Sequence, residues 1–261
     1  MKISSILSSK VIAVATVLLA LNGQALSLFS PTETRVKAYG DSLYSGVGIL
    51  NLLDAGPKHE TKICTAFLIS RQWAVTAAHC VATATAKTLF FEFDQGTGPF
   101  EFQSEIVQSF SPSDFSMATG IFPKDWALLQ LKTPAPARFK SYSLARPAQV
   151  QVGQEAIVVG YPRDIGNGDV RMLSEGCTVR NLVGDQIYSD CDILPGNSGG
   201  PLLVKASDGS WIVAGITSTQ TLDANQKELS RQAYADSLAN HFTNLSLYVP
   251  SLAATIKANP L

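Results

Sequence analysis

No segment restricts the fold of this chain more than the run Asp190-Cys191-Asp192-Ile193-Leu194-Pro195-Gly196-Asn197-Ser198-Gly199-Gly200-Pro201-Leu202. A serine lies among glycines here, and glycines permit backbone conformations and close approaches that a Cβ forbids. Around a nucleophile this freedom lets the main-chain N–H groups of Gly196 and Ser198 point at one carbonyl oxygen, as an oxyanion hole requires. The run also invites a phosphate-loop reading, but no lysine follows it, which dismisses a nucleotide site. A serine alone is a poor nucleophile and needs a base. The chain has three histidines, His59, His79 and His241. His79 stands in Thr76-Ala77-Ala78-His79-Cys80, directly after an apolar segment. His59 lies in the polar stretch Gly56–Glu60 and reads as solvent-exposed, and His241 reads as surface or partly packed.

A third motif, Asp125-Trp126-Ala127-Leu128-Leu129-Gln130-Leu131, lies between the other two, so that His79, Asp125 and Ser198 follow at gaps of 46 and 73 residues. TAAHC, DWALLQL and GNSGGPL in this order resemble the chymotrypsin-like (trypsin-fold) serine peptidases, particularly their bacterial secreted members. The resemblance covers about Tyr44 to Ser218. It implies that Ser198 attacks a carbonyl carbon to give an acyl-enzyme and that His79 takes and returns the proton. An unperturbed pKa of about 6.5 suits a histidine to both steps. Asp125 would hold the imidazole in the required tautomer. Asp114, Asp164 and Asp169 lie in turn-like stretches and read as structural. A second reading stays open, a binding protein on a peptidase scaffold whose cleft no longer turns over.

The resemblance extends to the cysteines and the pocket. Four cysteines allow three pairings into two disulfides. The family pattern joins Cys64 to Cys80, which leaves Cys177 with Cys191 beside the serine. No CxxC or HxxxH spacing supports a metal, and no cofactor is expected. Asp192 stands six residues before Ser198, the offset at which trypsin-type relatives carry an acid at the base of the primary pocket, and so implies Arg or Lys at the cleaved bond. The competing reading places Asp192, or Asp190, in a structural hydrogen-bond network. Ser218-Thr219-Gln220 forms the pocket edge, with Ser218 as a substrate-binding residue and Gln220 able to crowd the pocket. Thr217 replaces the histidine of glutamate-specific relatives. In the trypsin branch a freed N-terminus pairs with an Asp just before the serine, but Asn197 carries no charge there.

Export is read from the first 25 or so residues. Lys2 and Lys10 precede or open an apolar run, Val11–Leu21, broken only by Thr16. Gly23-Gln24-Ala25 offers small residues for cleavage, and cleavage after Ser27 is an equal alternative. Eleven residues are too few to span a bilayer of about 30 Å, so no membrane insertion is expected once the leader is removed. A secreted or periplasmic location follows. The formal net charge is −1, from 20 basic and 21 acidic residues without a basic cluster, which argues against a nucleic-acid partner. Protein or peptide substrates and a monomer are expected.

Residues 26–44 read as an N-terminal extension or propeptide. Short strands follow at Val47–Leu52, Ile63–Ile69, Trp73–Thr76, Leu89–Phe93, Phe100–Phe110 and Trp126–Leu131, with a turn at Asp94–Gly98. These six place a β-barrel over 45–132. Three prolines mark 133–147 as a linker. A second barrel over 148–226 takes Ala156–Gly160, Gly176–Val179, Gln186–Cys191, Pro201–Val204 and Trp211–Thr217. From 227 to 261 Leu229, Ala233, Leu238, His241, Leu245, Leu252 and Ile256 have roughly helical spacing, interrupted by Pro250. The strand-like runs make the chain all-β; the resemblance implies two six-stranded antiparallel barrels with the site in the cleft between them, and the spacing of the tail adds a C-terminal helix.

Overall fold

In a computed structural model of the chain, the described residues are 29, 33–38, 42–54, 61–91, 100–117, 122–221 and 233–260. The expected leader, His59 and the turn at 94–98 lie outside them.

The first strand, β1 (Val36–Lys37), is short, and six further strands follow: β2 (Val47–Asp54), β3 (Thr61–Leu68), β4 (Trp73–Thr76), β5 (Ala84–Phe91), β6 (Phe102–Phe110) and β7 (Ala127–Leu131). Strands β2 to β7 close into an antiparallel barrel in the order β2-β3-β4-β7-β6-β5. All four residues of β4 and all five of β7 are buried, so neither shows the apolar–polar alternation of a half-exposed strand. The second set comprises β8 (Glu155–Gly160), β9 (Met172–Val183), β10 (Gln186–Ser189), β11 (Pro201–Lys205), β12 (Trp211–Thr219) and β13 (Asn240–Asn244). It runs β9-β10-β13-β12-β11-β8, and the β8–β9 pairing closes it. Two six-stranded antiparallel barrels are therefore present, as the motifs imply.

One apolar cluster joins the barrels, and a second, with Val158, Ile187, Leu202 and Phe242, lies within the second barrel. Phe67 and Leu128 of the first barrel belong to the joining cluster, as do Val159, Tyr161, Leu203 and Val213 of the second barrel. A fully buried side chain of this size contributes about 1.5–3 kcal/mol. The proline-rich stretch between them is fastened rather than loose. Tyr142 donates its main-chain N–H to the Leu68 carbonyl, and Leu144 bridges to Val213. Before the first barrel, β1 lies against β9, with Val36 opposite Leu173. Arg35 is ion-paired to Glu33 and Asp164, and the buried Arg171 guanidinium donates to the Ala38 carbonyl. Residues 33–38 thus form a strap on the second barrel.

The tail departs from its helical spacing. Asn240–Asn244 is a strand between β10 and β12, and it supplies the sixth member of the second barrel, which runs past residue 226 to Asn244. The helix that follows, Val249–Ala258, has Pro250 in its first turn, where a missing N–H costs nothing, so the proline starts the helix instead of breaking it. His241 consequently is buried rather than at the surface. Its ring packs on Tyr188 with centroids 4.6 Å apart, and Nδ1 lies 3.2 Å from Thr219 Oγ1. Burial pulls its pKa from the ordinary 6.5 down to about 4. The unfolded chain therefore takes the proton first. The stability tied to neutral His241 is complete above about pH 6.5 and is lost as the pH falls toward about 4, by up to about 3 kcal/mol. Thermal melting should show this acid-side loss, and His241→Gln should flatten that slope; an equally steep slope in the variant would locate the loss elsewhere.

Candidate active site

Each motif sits where a strand ends. β4 leads through Ala77 into a single helical turn, Ala78–Val81, that carries His79. Asp125 stands two residues before β7, and Ser198 lies in the loop entering β11. The Asp125 carboxylate is wholly buried. Its Oδ1 accepts the His79 main-chain N–H at 2.8 Å, and Oδ2 lies 2.7 Å from His79 Nδ1. Oδ2 also accepts the Ser218 hydroxyl at 2.6 Å. Three donors thus converge on one buried carboxylate, which fixes the imidazole with Nε2 turned away from Asp125. The Phe122 ring packs on the imidazole at 5.6 Å between centroids.

The serine loop is held from both barrels. Thr65 on β3 donates its main-chain N–H to the Ser198 carbonyl and its hydroxyl to the Gly196 carbonyl, both at 2.8 Å. On the other side, Gly199 N–H donates to the Thr217 carbonyl, and Thr217 N–H to the Gly200 carbonyl. Two glycines are obligatory in this packing. A Cβ at Gly196 (φ +103°) would lie 2.2 Å from the Tyr161 carbonyl oxygen, and one at Gly199 (φ +84°) 2.1 Å from Thr76 Oγ1. Asn197 closes the turn from within: its N–H donates to the Leu194 carbonyl and its Oδ1 accepts the Leu194 N–H. Half-buried Ser198 is left with its hydroxyl clear of any hydrogen bond among the described residues, as are the N–H groups of Gly196 and Ser198. His79 Nε2 and the Ser198 carbonyl oxygen both approach Cys80 Sγ, at 3.7 and 3.8 Å. The Nε2–Ser198 Oγ hydrogen bond itself is not formed, a contact that commonly tightens when substrate binds.

Both disulfides are present in the pairing the motifs imply. Cys64–Cys80 ties β3 to the His79 turn, and Cys177–Cys191 ties β9 to the segment before the serine. Cys64, His79 and Cys80 cluster closely enough to suggest metal ligands. Their sulfurs are bonded to each other and offer no thiolate, so the group does not fit a metal.

The two acids before the serine differ. Asp190 accepts the Thr178 N–H at 2.7 Å and pairs with Arg180, a structural brace. Asp192 is buried, its N–H donates to Ser174 Oγ, and its Oδ1 accepts the Phe29 main-chain N–H. Phe29 also rests on the Tyr234 ring, 5.5 Å between centroids. Ser218, expected at the pocket edge, directs its hydroxyl to Asp125. Thr65 was not legible in the sequence: it lies 131 residues from Gly196 in an ordinary strand.

A protein-family model, Trypsin, matches residues 53–239. Serine protease 23 of Bos taurus is 25% identical over 193 residues, covering 62% of this chain and 50% of its own length. Its Homo sapiens counterpart is 26% identical over 168 residues, covering 54% and 43%. Vitamin K-dependent protein C of Rattus norvegicus is 26% identical over 211 residues, covering 69% and 43%. The chain spans half or less of the length of these curated relatives. The family match takes in the segments that carry His79, Asp125 and Ser198, on a pair of closed barrels whose strand ends converge on one site: the chain belongs to the trypsin family of serine peptidases.

Proposed function

We propose that this chain is an exported serine endopeptidase that cleaves peptide bonds through an acyl-enzyme at Ser198. The observation that carries the reading is the Asp125 carboxylate, buried and bonded to both the main chain and the ring of His79, beside a serine loop with two N–H groups left over. Ser198 Oγ bonds to the substrate carbonyl carbon as its proton passes to His79 Nε2. The carbonyl oxygen takes the negative charge against the N–H groups of Gly196 and Ser198. The C–N bond then breaks, and the His79 proton goes to the leaving amine. Water, deprotonated by His79, releases the acyl group and restores Ser198. Aspartate stabilises the imidazolium formed in each half.

Removal of a leader near residue 25, with release to a periplasm or the exterior, accords with two disulfides. The protein would act as a monomer on protein or peptide substrates, with no metal, cofactor or nucleic acid. Asn197 closing its own turn supports competence without an N-terminal salt bridge. A preference for Arg or Lys rests on buried Asp192, one oxygen of which is engaged by Phe29.

The test begins with a fluorophosphonate on the purified mature chain. Stoichiometric labelling mapped to Ser198 is expected, and a native chain that takes no label would favour the silent binding scaffold. Peptides with Arg, Lys or Ala at the cleaved bond then compare the native chain with one starting at Glu33. Freeing a carboxylate from a charge-assisted hydrogen bond should raise the Arg-to-Ala ratio of kcat/KM by about 10- to 100-fold. An unchanged ratio would remove Asp192 from the pocket.

A further inference from the structure

The turn between β9 and β10 and the first residue of β10 lie outside the site, yet they grip the segment leading into Asp125 at two points. Asp185 Oδ2 accepts the Lys124 main-chain N–H at 2.6 Å and the Tyr248 phenol at 2.8 Å. Gln186 Nε2 donates to the Phe122 carbonyl at 3.4 Å, and Phe122 is the residue whose ring lies on His79. The turn itself is anchored to β13, because the Asp185 carbonyl accepts the Asn244 N–H at 2.8 Å.

Lys124 needs such a grip. Its φ is +57°, in the left-handed region that a side chain bearing a Cβ disfavours, and it immediately precedes Asp125. The Lys124 ammonium pairs with Asp114, but both are exposed, and exposed pairs contribute little. The bond from the Lys124 N–H to Asp185 bears on the strained peptide, beside the Trp126 N–H that donates to the Lys124 carbonyl at 2.8 Å. Tyr248 fixes the carboxylate in turn while packing on Trp126, 5.7 Å between centroids, so the same phenol touches both ends of the bracket. Burial, and then the hydrogen bond to Asp185, raise the Tyr248 pKa, which keeps that phenol a donor.

We infer that Asp185 of the second barrel is a positioning residue for the triad, holding Lys124 in its left-handed conformation so that Asp125 meets His79. This rests on the peptidase reading for its kinetic consequence only. It does not act on substrate, and it adds a residue that the three motifs do not contain.

The experiment compares Asp185→Ala with Asp185→Asn in the full chain. Asparagine Oδ1 can still accept from Lys124 and Tyr248, whereas alanine cannot. Asp185→Ala is expected to lower kcat by about 10- to 100-fold, the effect of a misplaced catalytic group, with KM within about twofold. Asp185→Asn should stay within about threefold of the parent in kcat, and Tyr248→Phe should fall between the two. The downfield proton resonance of the His79 Nδ1–Asp125 hydrogen bond reads the positioning directly. It should weaken or move in Asp185→Ala and persist in Asp185→Asn. An alanine variant with the parent's resonance overturns the inference, as does one that loses kcat no more than the asparagine variant does. If Asp185→Ala does not fold, Tyr248→Phe decides by the same resonance. A native chain that never takes fluorophosphonate overturns the peptidase reading separately, and the resonance still decides the role of Asp185.

Discussion

Replacing Ser198 with Ala is expected to lower kcat by about six orders of magnitude, the scale on which loss of the nucleophile removes a whole triad's contribution. The fold should not notice. The Ser198 hydroxyl makes no hydrogen bond among the described residues, and the loop is held by main-chain groups: the Ser198 carbonyl on Thr65, and Gly199 and Gly200 on Thr217. Alanine keeps all of these. Peptide hydrolysis together with a thermal melt makes the check, and the expected pattern is lost turnover at an unchanged midpoint. Turnover near the parent's would place the nucleophile elsewhere.

Asp125→Asn should cost about four orders of magnitude in kcat, less than the serine and for a different reason. Asparagine fits the same space, but it offers one oxygen where three donors converge. If that oxygen takes the His79 main-chain N–H, the NH2 group faces Nδ1 and forces the proton onto Nε2. The base is then blocked on the side that must receive the Ser198 proton. If the carboxamide flips, its NH2 opposes a main-chain N–H in a fully buried site, which costs about 1–3 kcal/mol. Single-turnover acylation separates this from a folding defect, since binding should survive while acylation slows. A loss under about tenfold would show that His79 does not depend on Asp125.

The three motifs were legible because each is local: a few residues in a row carry a serine, a histidine or an aspartate together with the strand end that presents it. The first barrel followed from six strand-like runs between turns, whereas only five could be read for the second. What the sequence hid depends on partners far along the chain. Asn240–Asn244 is a polar pentapeptide lying between leucines at near-helical intervals, and only its pairing with β10 and β12 makes it a strand, with every residue buried. Pairing of this kind overrides local preference. The strap at Val36–Lys37 is two residues long and has no periodicity to read. Thr65 and Asp185 belong to the same class. Nothing in their neighbourhoods marks them, because what they hold lies 131 and 61 residues away. Ser218 was noticed for its place at the pocket edge, yet the direction of its hydroxyl is set by a residue 93 positions earlier.

The position of β13 also sets a clock. The first barrel and its histidine are complete by Leu131, but the second cylinder stays open until Asn240–Asn244 has been synthesised and inserted between β10 and β12. During vectorial synthesis or export, the N-terminal half folds first. The strand that closes the second cylinder is made after all the others described in it. A nascent chain therefore carries His79 and Asp125 before the barrel that bears Ser198 can close, and the proposed capacity to cut waits on Asn240–Asn244.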